Sequence, residues 1–140
     1  MKSILLPIDL FDETSSDGAL NHAVGLAQQN GAKLHVLSVI PDFGMPMVGA
    51  FFPKGFSKNA TADTQAKLDA FIEGNVPDGF DVTGHVKHGT IYKEILATAE
   101  ACGADMIVMA SHRPEMKDYL LGPNAARVVR HARQSVTVIR

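Results

Sequence analysis

Apolar residues gather along the chain into short runs, separated by segments with a different rhythm. Residues 3–9, 33–40, 105–110 and 135–139 are rich in Ile, Leu, Val and Met, and the first and third are apolar nearly throughout. Continuous runs of this length predict strands covered on both faces. Residues 80–88 instead alternate, with Val82 and Val86 on one side, and predict an edge strand. Between the runs the period lengthens. Leu20, Ala23, Val24 and Ala27 recur at i, i+3, i+4 and i+7; Ser15, Ser16 and Asp17 are capping candidates before them, and Asn30-Gly31 forms a stop after them. Ile91, Ile95, Ala99 and Cys102 form a second stripe, opened by Thr90 and closed by Gly103. Leu68, Phe71 and Ile72 mark a third, and Ala125, Val128, Val129 and Ala132 a fourth. Strand followed by helix, repeated, predicts parallel strands joined by right-handed crossovers. The expected architecture is a single doubly wound α/β domain, an open parallel sheet with helices on both faces.

One segment breaks the rhythm. Residues 41–59 carry three Pro, three Gly, two Met and four Phe, and long connections inside compact domains are uncommon unless functional or mobile. The residue types suit a hydrophobic flap packed on its own domain or on a partner subunit; a lid over a ligand is the second reading.

The 140-residue length fits one domain with a real core. With 46% apolar and 20% charged residues the balance is globular. A formal net charge of −2 gives no general attraction to nucleic acid or to anionic membranes. A single cysteine, Cys102, allows no internal disulfide and fits a reducing compartment, so the expected location is the cytoplasm. The opening MKSILLPIDL falls short of a signal peptide or membrane span. The charge is uneven, however. Residues 111–140 hold six Lys or Arg against two Asp or Glu, while residues 1–110 hold seven against thirteen. The basic quarter is either a solvated face or an anion patch.

In doubly wound sheets ligands collect at the carboxyl ends of strands, where neighbouring crossovers diverge. If the first strand and the 105–110 strand are neighbours, the crevice is walled by Pro7, Ile8, Asp9 and Leu10 on one side and by Met109, Ala110, Ser111 and His112 on the other. The stretch ASHRPEMKDYLLGPN, residues 110–124, then falls where binding is expected. Gly122 suits an N-cap and Pro123 a first helical position, which leaves the amides of Asn124 and Ala125 unpaired at the positive end of a helix. Ser111, His112 and Arg113 add side-chain donors, and Arg113 has the geometry to grip a phosphate bidentately. In the rival account Arg113 and Lys117 are solvated and Ser111 only turns the chain. No Ser-His-Asp order, metal-ligand spacing or paired carboxylate stands out. His22 and His131 fall on helix surfaces, and His112 reads as a hydrogen-bonding loop residue.

LLPIDL, LHVLSVI and DMIVMASHRPEMKDYLLGPNAARVVRHARQSVTVIR together resemble the universal stress protein family over nearly the whole chain. The SHRP and YLLG.NAA..VRHA segments look most like its F-type branch. The resemblance implies one domain over residues 1–140, a five-stranded parallel sheet in order 3-2-1-4-5, and a regulatory rather than enzymatic role. It implies binding of ATP or AMP, with Mg able to accompany ATP, and a homodimer through strand 135–139. By the same resemblance adenine and ribose fall at Pro7, Ile8, Asp9 and Val39. Nucleotide-binding members carry Gly, two residues, Gly, nine residues, then Gly and Ser or Thr. Here those positions are Ala110, Arg113, Gly122 and Pro123, with eight residues between Arg113 and Gly122. The departure implies weaker or altered phosphate binding. A nucleotide-independent dimer module and a slow ATP hydrolase using Ser111 or His112 are the alternatives.

Overall fold

The structure, a computed structural model, describes residues 1–10, 16–41, 56–111 and 122–140. Among the described residues nine elements follow one another: β1 (Ser3–Ile8), α1 (Asp17–Asn30), β2 (Lys33–Pro41), α2 (Phe56–Asn75), β3 (Val82–Gly89), α3 (Ile91–Ala101), β4 (Met106–Ala110), α4 (Gly122–His131) and β5 (Ser135–Ile139). The strands form one sheet in the order β3-β2-β1-β4-β5, and every neighbouring pair is parallel.

Helix placement follows from handedness. The steps β1 to β2 and β2 to β3 travel toward one edge, whereas β3 to β4 and β4 to β5 travel toward the other. Right-handed crossovers therefore put α1 and α2 on one face and α3 and α4 on the opposite face. Two adjacent residues of β3 register this division: a Cβ on Gly84 would lie 3.0 Å from Leu68 and Ile72 of α2, while His85 lines a cleft with α3. The central strands are thus covered twice. Ile4, Leu5 and Leu6 are fully buried, as are Leu34, Val36 and Leu37 of β2 and Ile107, Val108 and Met109 of β4. Each such side chain contributes about 2 kcal/mol of apolar burial, which is why these runs carry no alternation. The expected edge strand is indeed at the edge, though it runs from Val82 to Gly89.

Helix ends follow the local chemistry in part. Gly31 takes the left-handed conformation, φ 62°, that ends α1, and its N–H donates to the Ala27 carbonyl. Gly103 does the same work after α3 at φ 64°, and its N–H donates to the Glu100 carbonyl at 3.2 Å. A side-chain bond to the helix amides is missing at both N-terminal caps, Ser16 and Thr90. Two expectations need correcting. The long connection is shorter than residues 41–59, because β2 runs through Pro41 and α2 begins at Phe56; no proline interrupts the chain between Phe56 and Asn75. Residues 42–55 lie outside the described residues. On α4, Ala125 and Val128 are buried, but Val129 is 53% exposed and not part of the inward stripe.

Candidate functional site

The crossovers diverge between β1 and β4, so the crevice between these strands is the switch point of the sheet. Its opening has a local cause. The Ser3 carbonyl accepts from Asp105 N–H on the β4 side at 2.8 Å, while the Lys2 carbonyl accepts from Lys33 N–H on the β2 side at 2.9 Å. Backbone groups alternate along a strand, so Leu5 and Pro7 also address β4. Pro7 has no N–H to offer there. Pairing of β1 with β4 covers Ile4↔Met106 and Leu5↔Ile107, whereas pairing with β2 runs on to Ile8↔Ser38. Proline, with no N–H to offer, thus accounts for the early end of the β1–β4 ladder after Leu5↔Ile107.

The expected wall residues assemble around this point. Pro7 and Ile8 are buried at the end of β1, and Asp9 and Leu10 follow half-buried. The Asp9 N–H faces the Ser16 hydroxyl at 3.5 Å, which ties the strand end to the start of α1; Ser16 itself is 1% exposed. Across the crevice Met109 and Ala110 are buried and Ser111 is half-buried. The Ser111 N–H donates to the Ile139 carbonyl at 2.8 Å, extending the β4–β5 ladder by one step. That amide is therefore spent within the sheet, and what Ser111 can offer a ligand is its hydroxyl. Val39 is half-buried near the end of β2, opposite Lys87 in the register. His112, Arg113 and Lys117 lie outside the described residues.

At the far end of that connection α4 begins with Gly122, followed by an exposed Pro123. Asn124 is 8% exposed, and its Oδ1 accepts a hydrogen bond from the Tyr92 N–H at 3.1 Å. The side chain thus satisfies an amide in the first turn of α3, the group that Thr90 leaves uncapped. Ala125 is buried. Periodicity could not reveal this cross-helix cap, because the two residues are 32 positions apart; the one signal was an asparagine at a helix start. Of the basic residues in the last quarter, Arg127, Arg130 and Arg133 are exposed, and the Arg127 guanidinium lies 5.3 Å from the Tyr92 ring centroid. His22 and His131 are exposed on α1 and α4. Among the described residues no three His, Cys, Asp or Glu side chains converge to hold a metal ion, and no helix is long and apolar enough to cross a membrane.

A parallel five-stranded sheet in this order, with its switch point between the first and fourth strands, defines a doubly wound α/β fold. The model of the universal stress protein family matches residues 1–140. The chain is 33% identical to universal stress protein G of Shigella flexneri over 99% of both chains. The solved structure of MJ0577, a universal stress protein of Methanocaldococcus jannaschii, superposes with a TM-score of 0.79 at 27% identity, covering 99% of this chain and 94% of the other. A universal stress protein from Archaeoglobus fulgidus, solved in complex with dAMP, shares the fold with a TM-score of 0.67 at 17% identity, over 100% of this chain and 98% of that one. The chain belongs to the universal stress protein family.

Proposed function

We propose that this protein is a cytoplasmic stress-response regulator that binds an adenine nucleotide, ATP or AMP, in the crevice between β1 and β4. The observation that carries this reading is the early end of the β1–β4 ladder, which pairs only Ile4↔Met106 and Leu5↔Ile107 while β1–β2 runs on to Ile8↔Ser38, at the switch point beside Asp9. The base occupies the slot of Pro7, Ile8 and Val39, and Asp9 takes hydrogen bonds from hydroxyl or amine groups. Met109 and Ala110 floor the opposite wall. The phosphates lie toward Ser111, His112 and Arg113 and the amides opening α4 at Gly122, Asn124 and Ala125. Mg accompanies ATP where ATP is the ligand. The dAMP complex of the Archaeoglobus relative supports an adenine ligand for this fold. The protein acts as a homodimer through β5, with neither nucleic acid nor membrane as partner.

Isothermal calorimetry with ATP and with AMP tests the reading. Saturable binding, weakened in Asp9→Ala and in Arg113→Ala, is the expected result; absence of heat for both nucleotides up to millimolar concentration would overturn it. The second reading is a dimeric interaction module that needs no nucleotide. It is favoured by Ala110, Arg113 and Pro123 at the positions where nucleotide-binding members carry Gly, Gly and a hydroxyl, and by the engagement of the Ser111 amide with Ile139. Co-purified adenine nucleotide, detected by mass spectrometry after denaturation, excludes this alternative.

A further inference from the structure

His35 and His85 lie on neighbouring strands, and their side chains meet on the face covered by α3. Their registers are staggered by two residues: His35 stands opposite Thr83, and His85 opposite Leu37. Along this diagonal the rings stack with centroids 5.1 Å apart and planes 30° apart, and His35 Nδ1 sits 2.9 Å from His85 Nε2. At that distance one nitrogen must donate and the other accept. The contact therefore holds one proton between two lone pairs and has no arrangement in which both nitrogens are protonated.

Water cannot replace the contact inside the sheet, since His35 is only 7% exposed. His85 is half-buried and lines a cleft of about 440 Å³ between β3 and the flank of α3 that faces away from α4. Lys87, Glu94, Ala97, Thr98, Ala101 and Cys102 complete that cleft, so solvent protons have a route to one member of the pair. The surrounding charges oppose their uptake. Burial lowers the pKa of both imidazoles, with Lys33 acting in the same direction on each and Lys87 adding to it at His85. Asp81 works the other way at His35 but is paired with Lys33 at 3.9 Å. From α3 the titratable groups facing the cleft are Glu94 and Cys102, and burial raises the Cys102 thiol above its ordinary value. Strand β1, the other neighbour of β2, contributes no titratable side chain.

We propose that the His35–His85 pair is an acid-sensitive latch: neutral, it clasps edge strand β3 to β2, and protonation of both rings releases β3 and widens the cleft beside α3. The sign follows from linkage. Both rings bind protons less readily in the closed state, so the clasp contributes fully above the ordinary imidazole value of 6.5 and is lost as the pH falls below it. Each proton taken up on opening shifts the equilibrium by about tenfold per pH unit.

Hydrogen exchange of the β3 amides is the direct test, with wild type compared with the double variant His35→Gln/His85→Gln, whose amide pair can hydrogen-bond but does not titrate. In wild type, opening of β3, corrected for intrinsic exchange, should rise about tenfold or more between pH 7 and pH 5.5, with β4 and β5 unaffected. In the double variant that rise should vanish. Imidazole NMR titration of wild type gives a second readout that does not depend on the variant folding: His35 and His85 should titrate together below the ordinary imidazole value of 6.5. Equal protection of β3 at both pH values, or either paired ring titrating at or above 6.5, would overturn the latch.

Discussion

The two edges of the sheet are built for opposite ends. β5 spans five residues and presents Val136, Val138 and Ile139 with few charges; Val138 is 37% exposed. β3 spans eight residues and carries His85, Lys87 and His88. Both strands leave a row of backbone donors and acceptors without a neighbour in the sheet, but an exposed edge becomes an interface only when its side chains tolerate a twin. Antiparallel self-pairing at β3 would bring Lys87 toward its copy, a like-charge cost, whereas at β5 it brings valine to valine. Topology makes an edge, and side-chain charge decides its use. In the proposed homodimer β5 is the edge consumed, and β3 stays free to move.

The contrast can be broken from its shared support. Leu37→Ala removes a fully buried side chain from the strand on which β3 leans, and equilibrium unfolding should show a loss of about 2–5 kcal/mol, the largest effect expected. Gly84→Ala strikes β3 alone. Its new methyl would stand 3.0 Å from Leu68 and Ile72, and with Leu68 fully buried the overpacking should cost about 1–3 kcal/mol; urea denaturation reads it. Giving β5 the charge of its counterpart, Val138→Lys sharpens the comparison. Dimer dissociation measured by analytical ultracentrifugation should become up to about fivefold easier, through the one like-charge contact between the two new side chains across the axis, with the monomer's own stability little changed. Least of all, Lys33→Ala deletes the pair with Asp81, whose side chains are 41% and 74% exposed; a thermal melt should register less than about 0.5 kcal/mol.

Much of this architecture was legible beforehand. Strands β1 and β4 stood out because burial on both faces requires uninterrupted apolar residues, and β3 stood out as an edge because only one of its faces needs them. The stops of α1 and α3 were written in Gly31 and Gly103, since a left-handed residue after a helix is most easily a glycine. The position of the switch point was legible in kind, since it depends on strand order and not on detail. Less could be read where partners are remote in sequence. Thr90 looked like the cap of α3, yet the first-turn amide of Tyr92 goes to Asn124, and Ser16 turns to Asp9 instead of its own helix. Val129 fits the apolar stripe of α4 by spacing and is exposed, because α4 closes over the sheet with a narrower face than its pattern suggests.

By itself the sequence determined which segments become strands and helices, and that Pro7 could donate no hydrogen bond, because both depend on local covalent chemistry and on the period of apolar residues. Toward which neighbour the missing donor of Pro7 points, and that His35 Nδ1 meets His85 Nε2 across a two-residue stagger, was settled by the tertiary structure alone. Those outcomes depend on strand register, which is set by long-range packing against β2 and β4 and is invisible to any local window of the chain.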